Sequence, residues 1–511
     1  MTALSEKTLI EEILRARERV YHVNGPTPLE QSDIPGLDAE VYLKREDLSA
    51  INAYKWRGAY NAIAVLPEGA RKLPVIAASA GNHAQGVALA ARRLGLRARI
   101  YMPRSTPEMK RLSVAHHGGD AVEIILKGDS YDEASTAAMA EADSTGAAYI
   151  HPYDNLHTIA GQATIADEIA LSGKGPFDFA FLQIGGGGLA AGVSFWLRLH
   201  YPGIRIFGVE ARGQAAMKAS LDAGHPVTLD HVDRFCDGTA VRRPGDLCFA
   251  ICRDSLEDVV TVENDEVSAA METTWRAGRY IPEPSGALGL AGMIAYARAH
   301  PEAVRGRKLL GLICGANMDF SKLRLISAGS ALGAHRQRWL RIEIDERGGS
   351  LLELIENSFS EFDIVGFHYG KLNAKRAWPA IAVSGEPAAI ESALARLRAE
   401  GRRVDDLTGE VDMRFRVINY DPRLLQNPVF HQVEFPERAG ALHELLRAIS
   451  GMANICYFNY VHTGEEIGRA LMGFELADKA DEPRLIALAA GCGVTLAPIS
   501  EAARTRLLRS E

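Results

Sequence analysis

The sequence predicts an α/β chain built on parallel sheets and followed by a repeated α+β unit. Three observations carry that prediction. Between about residues 40 and 325, short apolar runs alternate with helical periods, the pattern of βαβ units covered on both faces. A run of four glycines, in QIGGGGLAAG over 183–192, falls between a strand and a helix. Beyond residue 340, a strand–turn–helix–strand pattern recurs at an offset of 91 residues.

Composition bounds the rest. A chain of 511 residues exceeds one ordinary core and implies about two to four domains. Hydrophobic and charged contents of 47% and 24% are those of a soluble globular protein. The net charge of −8 and the lack of a Lys/Arg stripe argue against a nucleic-acid binder. No uncharged stretch approaches the ~18 apolar residues of a membrane span. MTALSEKTLIEEILRARERV reads as an amphipathic helix and not as a signal peptide. Six cysteines form no C-x-x-C pair; Cys248 and Cys252 share a helix face without further ligands. The expectation is a reduced cytoplasmic protein without structural zinc or disulfides.

In chain order, LPVIAAS (73–79) precedes the helical GNHAQGVALAARRLG, and RARIYMP (97–103) precedes TPEMKRLSVAHHGG. AVEIILKG (121–128) leads into SYDEASTAAMAEADSTG. PFDFAFLQI is followed by GLAAGVSFWLRLHYPG and then IRIFGVEA, and KLLGLI ends at CGANMDF (314–320). Ligands of such sheets bind at the carboxyl ends of the strands, where the glycine run lies. Free N–H groups at a helix start attract anions, and glycines let a phosphate approach them; a tight packing turn would also use glycines. Neither G-x-G-x-x-G nor G-x-x-x-x-G-K-[ST] occurs, which disfavours a dinucleotide fold and a P-loop.

Three further stretches sit at similar places. KREDLSAINAYKWRGAYN (44–61) sets Lys55 among apolar and aromatic neighbours ahead of a helix, SAGNHAQG (79–86) puts Asn82 and His83 at a helix start, and Cys314 ends a strand. Singly, each has a plain alternative: a snorkelling lysine, an N-cap, a small core hydrophobe.

Together, KREDL…YKWRGAYN, SAGNHAQG, IAGQATIADEI, GGGGLAAG, EPSGAL and CGAN, in this order, resemble the fold-type II pyridoxal-phosphate enzymes (tryptophan synthase β-like), most closely the biosynthetic threonine dehydratases. The resemblance covers nearly the whole chain. It implies a carbon–nitrogen lyase, with Lys55 as the lysine that bonds the cofactor aldehyde. It makes Asn82 the partner of the cofactor's 3′-oxygen, and Gly185, Gly186, Gly187, Gly188 and Leu189 the phosphate loop. Cys314 takes the position facing the pyridine nitrogen. Ser79, Ala80, Gly81 and His83 match the loop that receives the substrate carboxylate, and Glu283 a glutamate near the cofactor ring. Pyridoxal 5′-phosphate is the implied cofactor, L-threonine (or L-serine) the substrate, and a homotetramer the assembly.

The residue types suit that chemistry. An apolar pocket favours the neutral lysine amine, as bonding to the aldehyde and proton abstraction both require. A thiol at 314 makes the ring a weaker electron sink than a carboxylate would, which suits elimination better than transamination. Ala80 stands where related serine racemases have a second base, which disfavours racemisation. One departure is Ala53, where the family usually has a serine two residues before the lysine. His151, Asp154 and His157 in HPYDNLH could be drawn as a metal cluster, but the stretch matches the family's loop before IAGQ, so no metal is expected. A serine-preferring dehydratase, a β- or γ-replacement enzyme and a catalytically silent amino-acid sensor stay open as alternatives.

The domain expectation is a cofactor-binding unit over 1–325, a linker over 326–338, and two modules over 339–411 and 430–503. IEIDERGGSLLEL (342–354) aligns with VEFPERAGALHEL (433–445), seven of thirteen positions being identical. The pattern suggests paired ferredoxin-like βαββαβ modules. They resemble the tandem ACT-like regulatory domain of threonine dehydratases, which senses isoleucine and often valine; two oligomerisation surfaces are the alternative. Phe367, His368, Tyr369, Phe458, Asn459 and Tyr460 are the candidate effector-lining residues.

Overall fold

The structure, a computed structural model, describes residues 5–345, 350–368, 376–410, 427–436, 441–449, 451–460 and 467–507. It divides into two compact units after Phe320. Among the described residues, no helix is long and apolar enough to cross a membrane.

The first unit holds two sheets. Strands β1 (Leu29–Ser32), β2 (Glu40–Arg45), β6 (Phe179–Gln183), β7 (Arg205–Ala211), β8 (Asp258–Val262) and β9 (Lys308–Ile313) form one, in the order β1-β2-β9-β6-β7-β8. All its pairings are parallel except that of the edge strand β1 with β2. Strands β3 (Val75–Ala78), β4 (Ala98–Met102) and β5 (Val122–Leu126) form a smaller parallel sheet in that order. The apolar, doubly buried strands β3, β6, β7 and β9 explain why the sequence shows runs and not alternation there, whereas β5 at the edge of the smaller sheet is only half-buried. Helix Glu6–Tyr21 buries Leu9, Ile13 and Ala16 in the core shared with Ile165 and Ile169, as its amphipathic pattern requires. Cys248 and Cys252 lie buried on helix Asp246–Ser255 in the same core.

Four charges sit inside this apolar frame. Arg57 and Glu46 are fully buried, and Lys44 and Glu168 nearly so. Arg57 donates through Nε and Nη2 to the Glu46 carboxylate at 2.8 and 2.9 Å, and through Nη1 to Glu168 Oε1 at 2.5 Å. Lys44 Nζ donates to Glu168 Oε2 at 2.5 Å and to the Thr27 carbonyl at 2.6 Å. The network joins β2, the short helical turn after it, helix Trp56–Ala64 and helix Leu156–Leu171. It also accounts for two of the sequence motifs, KRED and IADEI, as a matched set.

The second unit contains two antiparallel four-stranded sheets. The first has the order β12-β14-β10-β15, from β10 (Gln337–Ile342), β12 (Asp363–His368), β14 (Ala380–Ser384) and β15 (Val404–Asp406), with β11 (Ile344–Asp345) pairing β13 (Arg376–Ala377) apart from it. The second has the order β17-β18-β16-β19, from β16 (Pro428–Pro436), β17 (Ala453–Tyr460), β18 (Ile467–Leu476) and β19 (Thr495–Pro498). Helices follow the first and third main strand of each set, giving the βαββαβ order twice. Even a register irregularity recurs, at Ile364/Gly366 and at Ile455/Tyr457. The stretch 326–338 is not extended chain: it comprises most of helix Leu323–Gly333 and the start of β10.

Removing one member of the charge network strands the others in a dry interior. Arg57→Leu is therefore expected to destabilise the first unit by roughly 3–5 kcal/mol, measured by urea unfolding. A loss below about 1 kcal/mol would mean that the carboxylates find water or other partners.

Candidate active site

Strands β2, β9 and β6 are neighbours and parallel, so the loops at their carboxyl ends meet. The β2 loop carries Lys55, the β9 loop Cys314 and the β6 loop the glycines. The Lys55 loop is stitched to the β9 loop through the backbone: Tyr54 N donates to the Cys314 carbonyl at 3.0 Å and Ala316 N to the Asn52 carbonyl at 2.9 Å. Asn52 turns the chain with φ +55°, a left-handed conformation that asparagine tolerates. Lys55 then stands at the start of helix Trp56–Ala64, and its Nζ donates to the Gly238 carbonyl at 2.8 Å. Burial pushes the lysine ammonium below its ordinary range, against the opposing influence of Glu283. Ala53 is fully buried against Gly315, and Ser49 Oγ bonds its carbonyl at 2.9 Å, a hydroxyl supporting this loop from four residues upstream.

The glycine run forms a cradle. Gly187 has φ +100° and caps helix Gly188–His200 without any side-chain bond. A Cβ at Gly186 would enter the ring of Tyr153. Three other helix starts of this unit are closed by side chains. Asp154 accepts from Asp246 N and Leu247 N at 3.0 and 2.9 Å, and Glu210 from Met217 N and Lys218 N at 2.9 and 2.8 Å. Asn155 caps helix Leu156–Leu171. The glycine helix has no such side chain, so its first N–H groups remain for an anion.

Across from it, Asn82 and His83 open helix Asn82–Leu94, also without a side-chain cap. Asn82 Nδ2 donates to Glu283 Oε1 at 2.7 Å, and Asn317 Nδ2 donates to Asn82 Oδ1 at 2.9 Å. Ser79 Oγ accepts from Gly81 N at 3.2 Å, holding the Ser79–Gly81 turn that includes Ala80. The His83 ring is buried, and its Nε2 faces the Ile150 carbonyl at 2.9 Å. A carbonyl only accepts, so Nε2 carries the proton. Burial pushes His83 down to about 3, so the ring is neutral at physiological pH. Burial also pushes the Cys314 thiol well up, which keeps it protonated. Leu189 lies in the core beneath the glycine loop.

Several neighbours were not singled out from the sequence. Gly238 and Thr239 border Lys55 and the glycine loop, and Lys110 Nζ meets Asp237 Oδ2 at 2.6 Å. Asn317 lies within the quoted CGAN, but nothing local marks it as a bonding partner of Asn82. The HPYDNLH side chains diverge: His151 Nδ1 accepts from Asp154 N at 2.8 Å, Asp154 caps a helix, and His157 faces Glu12 at 2.9 Å. Of the candidate effector residues, Phe458 is exposed near the end of β17. Phe367 and His368 end β12, and Asn459 and Tyr460 end β17. The side chains of those four, and Tyr369 altogether, lie outside the described residues.

The arrangement fits pyridoxal phosphate: a lysine amine with lowered proton affinity, an uncapped glycine helix start and an amide donor face one region. Glu283 is buried there, and burial, followed by Asp237, pushes it up to about 7. The folded chain thus holds this proton more tightly than the unfolded chain does. Its stabilising contribution is complete at acid pH and is lost as pH climbs from the ordinary carboxylate range through about 7. Glu283→Gln should therefore gain stability relative to the parent between about pH 5 and pH 8, by roughly 2–3 kcal/mol at most. Thermal unfolding of the cofactor-free protein at the two pH values reads this out; an unchanged difference would place the carboxyl's titration elsewhere.

Comparison with known proteins agrees with this geometry. The family model for pyridoxal-phosphate-dependent enzymes matches residues 20–315, and that for the C-terminal regulatory domain of threonine dehydratase matches 424–503. The biosynthetic L-threonine dehydratase IlvA of Haemophilus influenzae is 37% identical over 483 residues, covering 93% of this chain and 92% of its own. The one from Escherichia coli is 38% identical over 477 residues, 91% of each. Among solved structures, the processed form of threonine deaminase isoform 2 from Solanum lycopersicum is 39% identical. It has a TM-score of 0.61 and covers 65% of this chain and 90% of its own. Maize serine racemase has a TM-score of 0.57 at 31% identity, covering 62% and 96%.

Proposed function

The chain belongs to the pyridoxal-phosphate-dependent enzymes, among the biosynthetic threonine dehydratases, and we propose that it deaminates L-threonine to 2-oxobutyrate and ammonia, the first step of isoleucine biosynthesis. The observation that carries this reading is the convergence of Lys55 and the glycine helix start, from the larger sheet, with Asn82, from the smaller one, around Gly238, Thr239 and Glu283. Gly185 to Gly188 and Leu189 would hold the cofactor phosphate, Asn82 its 3′-oxygen, Cys314 its ring nitrogen and Lys55 its aldehyde. When bound, the cofactor supplies an electron sink for the pair left by the breaking Cα–H bond.

The chain's own residues do the rest. Burial lowers the proton affinity of Lys55, which favours the neutral amine that can take the α-proton. The turn over Ser79, Ala80 and Gly81, shaped by the Gly81 N–H to Ser79 Oγ bond, would receive the substrate carboxylate together with His83, whose neutral ring is engaged with Ile150 and which contributes through its backbone N–H. Glu283 braces Asn82 from behind. The β-hydroxyl leaves as water, its second hydrogen supplied in net by the α-proton, and the released enamine tautomerises to an imine that one water hydrolyses to 2-oxobutyrate and ammonia. Ala80 offers no base on the opposite face, so elimination prevails over racemisation. The Cys314 thiol, held protonated, leaves the ring nitrogen without a carboxylate partner and favours a short-lived carbanion.

The second unit would bind small-molecule effectors, isoleucine as inhibitor and valine as its opponent, with Phe367, His368, Tyr369, Phe458, Asn459 and Tyr460 around the pockets. Feedback requires that isoleucine bind two states of the enzyme with different affinities. A cytoplasmic homotetramer completes the proposal.

Lys55→Ala is expected to lower 2-oxo acid formation from L-threonine by roughly a thousandfold or more and to abolish the visible absorption of the bound cofactor, with far-UV circular dichroism unchanged. Full activity in that variant would sink the assignment. With the parent protein, isoleucine should suppress turnover; undiminished rates at saturating isoleucine would remove the regulatory half of the proposal and leave the lyase.

A further inference from the structure

Asparagine offers a donor on one branch of its amide and an acceptor on the other, so its use at a binding site depends on which way the amide is turned. At Asn82 that choice is made by a directed chain of hydrogen bonds. The chain starts at the backbone carbonyl of Ile51, which can only accept. Asn317 Nδ2 donates to it at 2.7 Å, so this branch of Asn317 must be the NH2 group. The same nitrogen donates to Asn82 at 2.9 Å, so the Asn82 atom it meets must be Oδ1. The other branch of Asn82 is then Nδ2, which donates one hydrogen to Glu283 Oε1 at 2.7 Å and keeps the second. Asn82 and Glu283 are buried at 7% and 5% exposure, so water does not compete freely for these bonds. Glu283 is itself closely fitted: a Cβ at Gly315 would lie 2.7 Å from its Oε1.

We propose that Asn317 is a positioning residue that acts through Asn82: it fixes the Asn82 amide so that a donor N–H, and not a carbonyl oxygen, faces the cofactor's ring oxygen. The proposal rests on the reading of this site as a pyridoxal-phosphate site. It gives Asn317 two tasks. One is to tie the Lys55 loop to the β9 loop through Ile51; the other is to set the polarity of an amide more than two hundred positions away in sequence. An aspartate at 317 keeps the size but donates to neither Ile51 nor Asn82, and it repels Asn82 Oδ1. The Asn82 amide is then free to turn its oxygen toward an oxygen of the ligand, an unfavourable contact.

The test is spectroscopic and uses the full chain. Pyridoxal phosphate is titrated into cofactor-free parent, Asn317→Asp, Asn317→Ser, Asn82→Ala and the Asn82→Ala/Asn317→Asp double variant, reading half-saturation and the visible absorption maximum. Thermal unfolding of each cofactor-free protein monitors the fold. The expected result is a half-saturation weakened about tenfold in both Asn317 variants, a band displaced in the same direction as in Asn82→Ala, and no further change when Asn317→Asp is added to Asn82→Ala. Parent-like affinity and spectrum in Asn317→Asp and Asn317→Ser would overturn the proposal. So would effects that add in full in the double variant, which would make Asn317 a loop tie alone. A parent protein that develops no visible band with pyridoxal phosphate would overturn the reading of the site itself, and the inference with it.

Discussion

The buried pairing of Arg57 with Glu46 and Glu168, completed by Lys44, is the constraint on which the geometry of the site depends. Two cations and two anions leave no net charge in the interior, and Thr27 adds a hydroxyl bond to Glu46. Such a group contributes little net stability over a well-packed apolar equivalent, because each charge had to be taken out of water. What it supplies is register. Only one placement of β2 against helices Trp56–Ala64 and Leu156–Leu171 satisfies all four groups, and Arg57 stands two residues from Lys55. The loop that carries the reactive amine is therefore positioned by a polar layer beneath it, where an apolar layer would tolerate slippage.

The parts of this architecture legible in the sequence are those set by neighbours along the chain. Apolar runs flanked by helical periods mark β3, β4, β6, β7 and β9, because burial on both faces leaves a local trace; β5 carries an apolar run although it is only half-buried. The glycine run is legible for the same reason: the backbone must turn left-handed at Gly187 and clear the Tyr153 ring at Gly186, and glycine alone permits both. The repeat is legible through its offset of 91, and the structure adds that the bulges at Val365 and Cys456 keep the same offset. KRED and IADEI are visible as motifs, yet their physical reason is not. Lys44 and Glu168 meet across 124 residues of sequence, and nothing near either announces the other. The same holds for Asn317 with Asn82, for Asp154 as the cap of a distant helix, and for Gly238 as the acceptor for Lys55. The stretch 326–338 carries little hydrophobic signal because its residues are small, and the alanines and the leucine among them, strong helix formers, make most of it helix.

Charge is distributed between two levels. The lower level holds full charges, each matched to an opposite one. The upper level holds groups whose charged forms burial disfavours: Lys55 with a lowered proton affinity, His83 uncharged, Cys314 protonated and Glu283 raised to about 7. Fixed full charges are thus few where the reaction takes place, and the local field comes mainly from oriented dipoles. Two helix starts, at Gly188 and at Asn82, lack a side-chain bond from their cap residues, which leaves N–H groups there for anions.

This division bears on how a single pocket can hold both a phosphate and a carboxylate without being strongly cationic. A cluster of lysines and arginines would bind both anions, but it would also stabilise the lysine amine as a neutral base too far and pin the substrate through long, mobile side chains. Backbone dipoles avoid both effects. They are fixed by secondary structure, cost no side-chain entropy on binding, and leave the protonation of Lys55 to be governed by its own burial and by Glu283. The arrangement works only if the dipoles are rigid and correctly aimed, which returns the requirement to the matched charges below, since they hold the Lys55 loop and the helices beside it in one register.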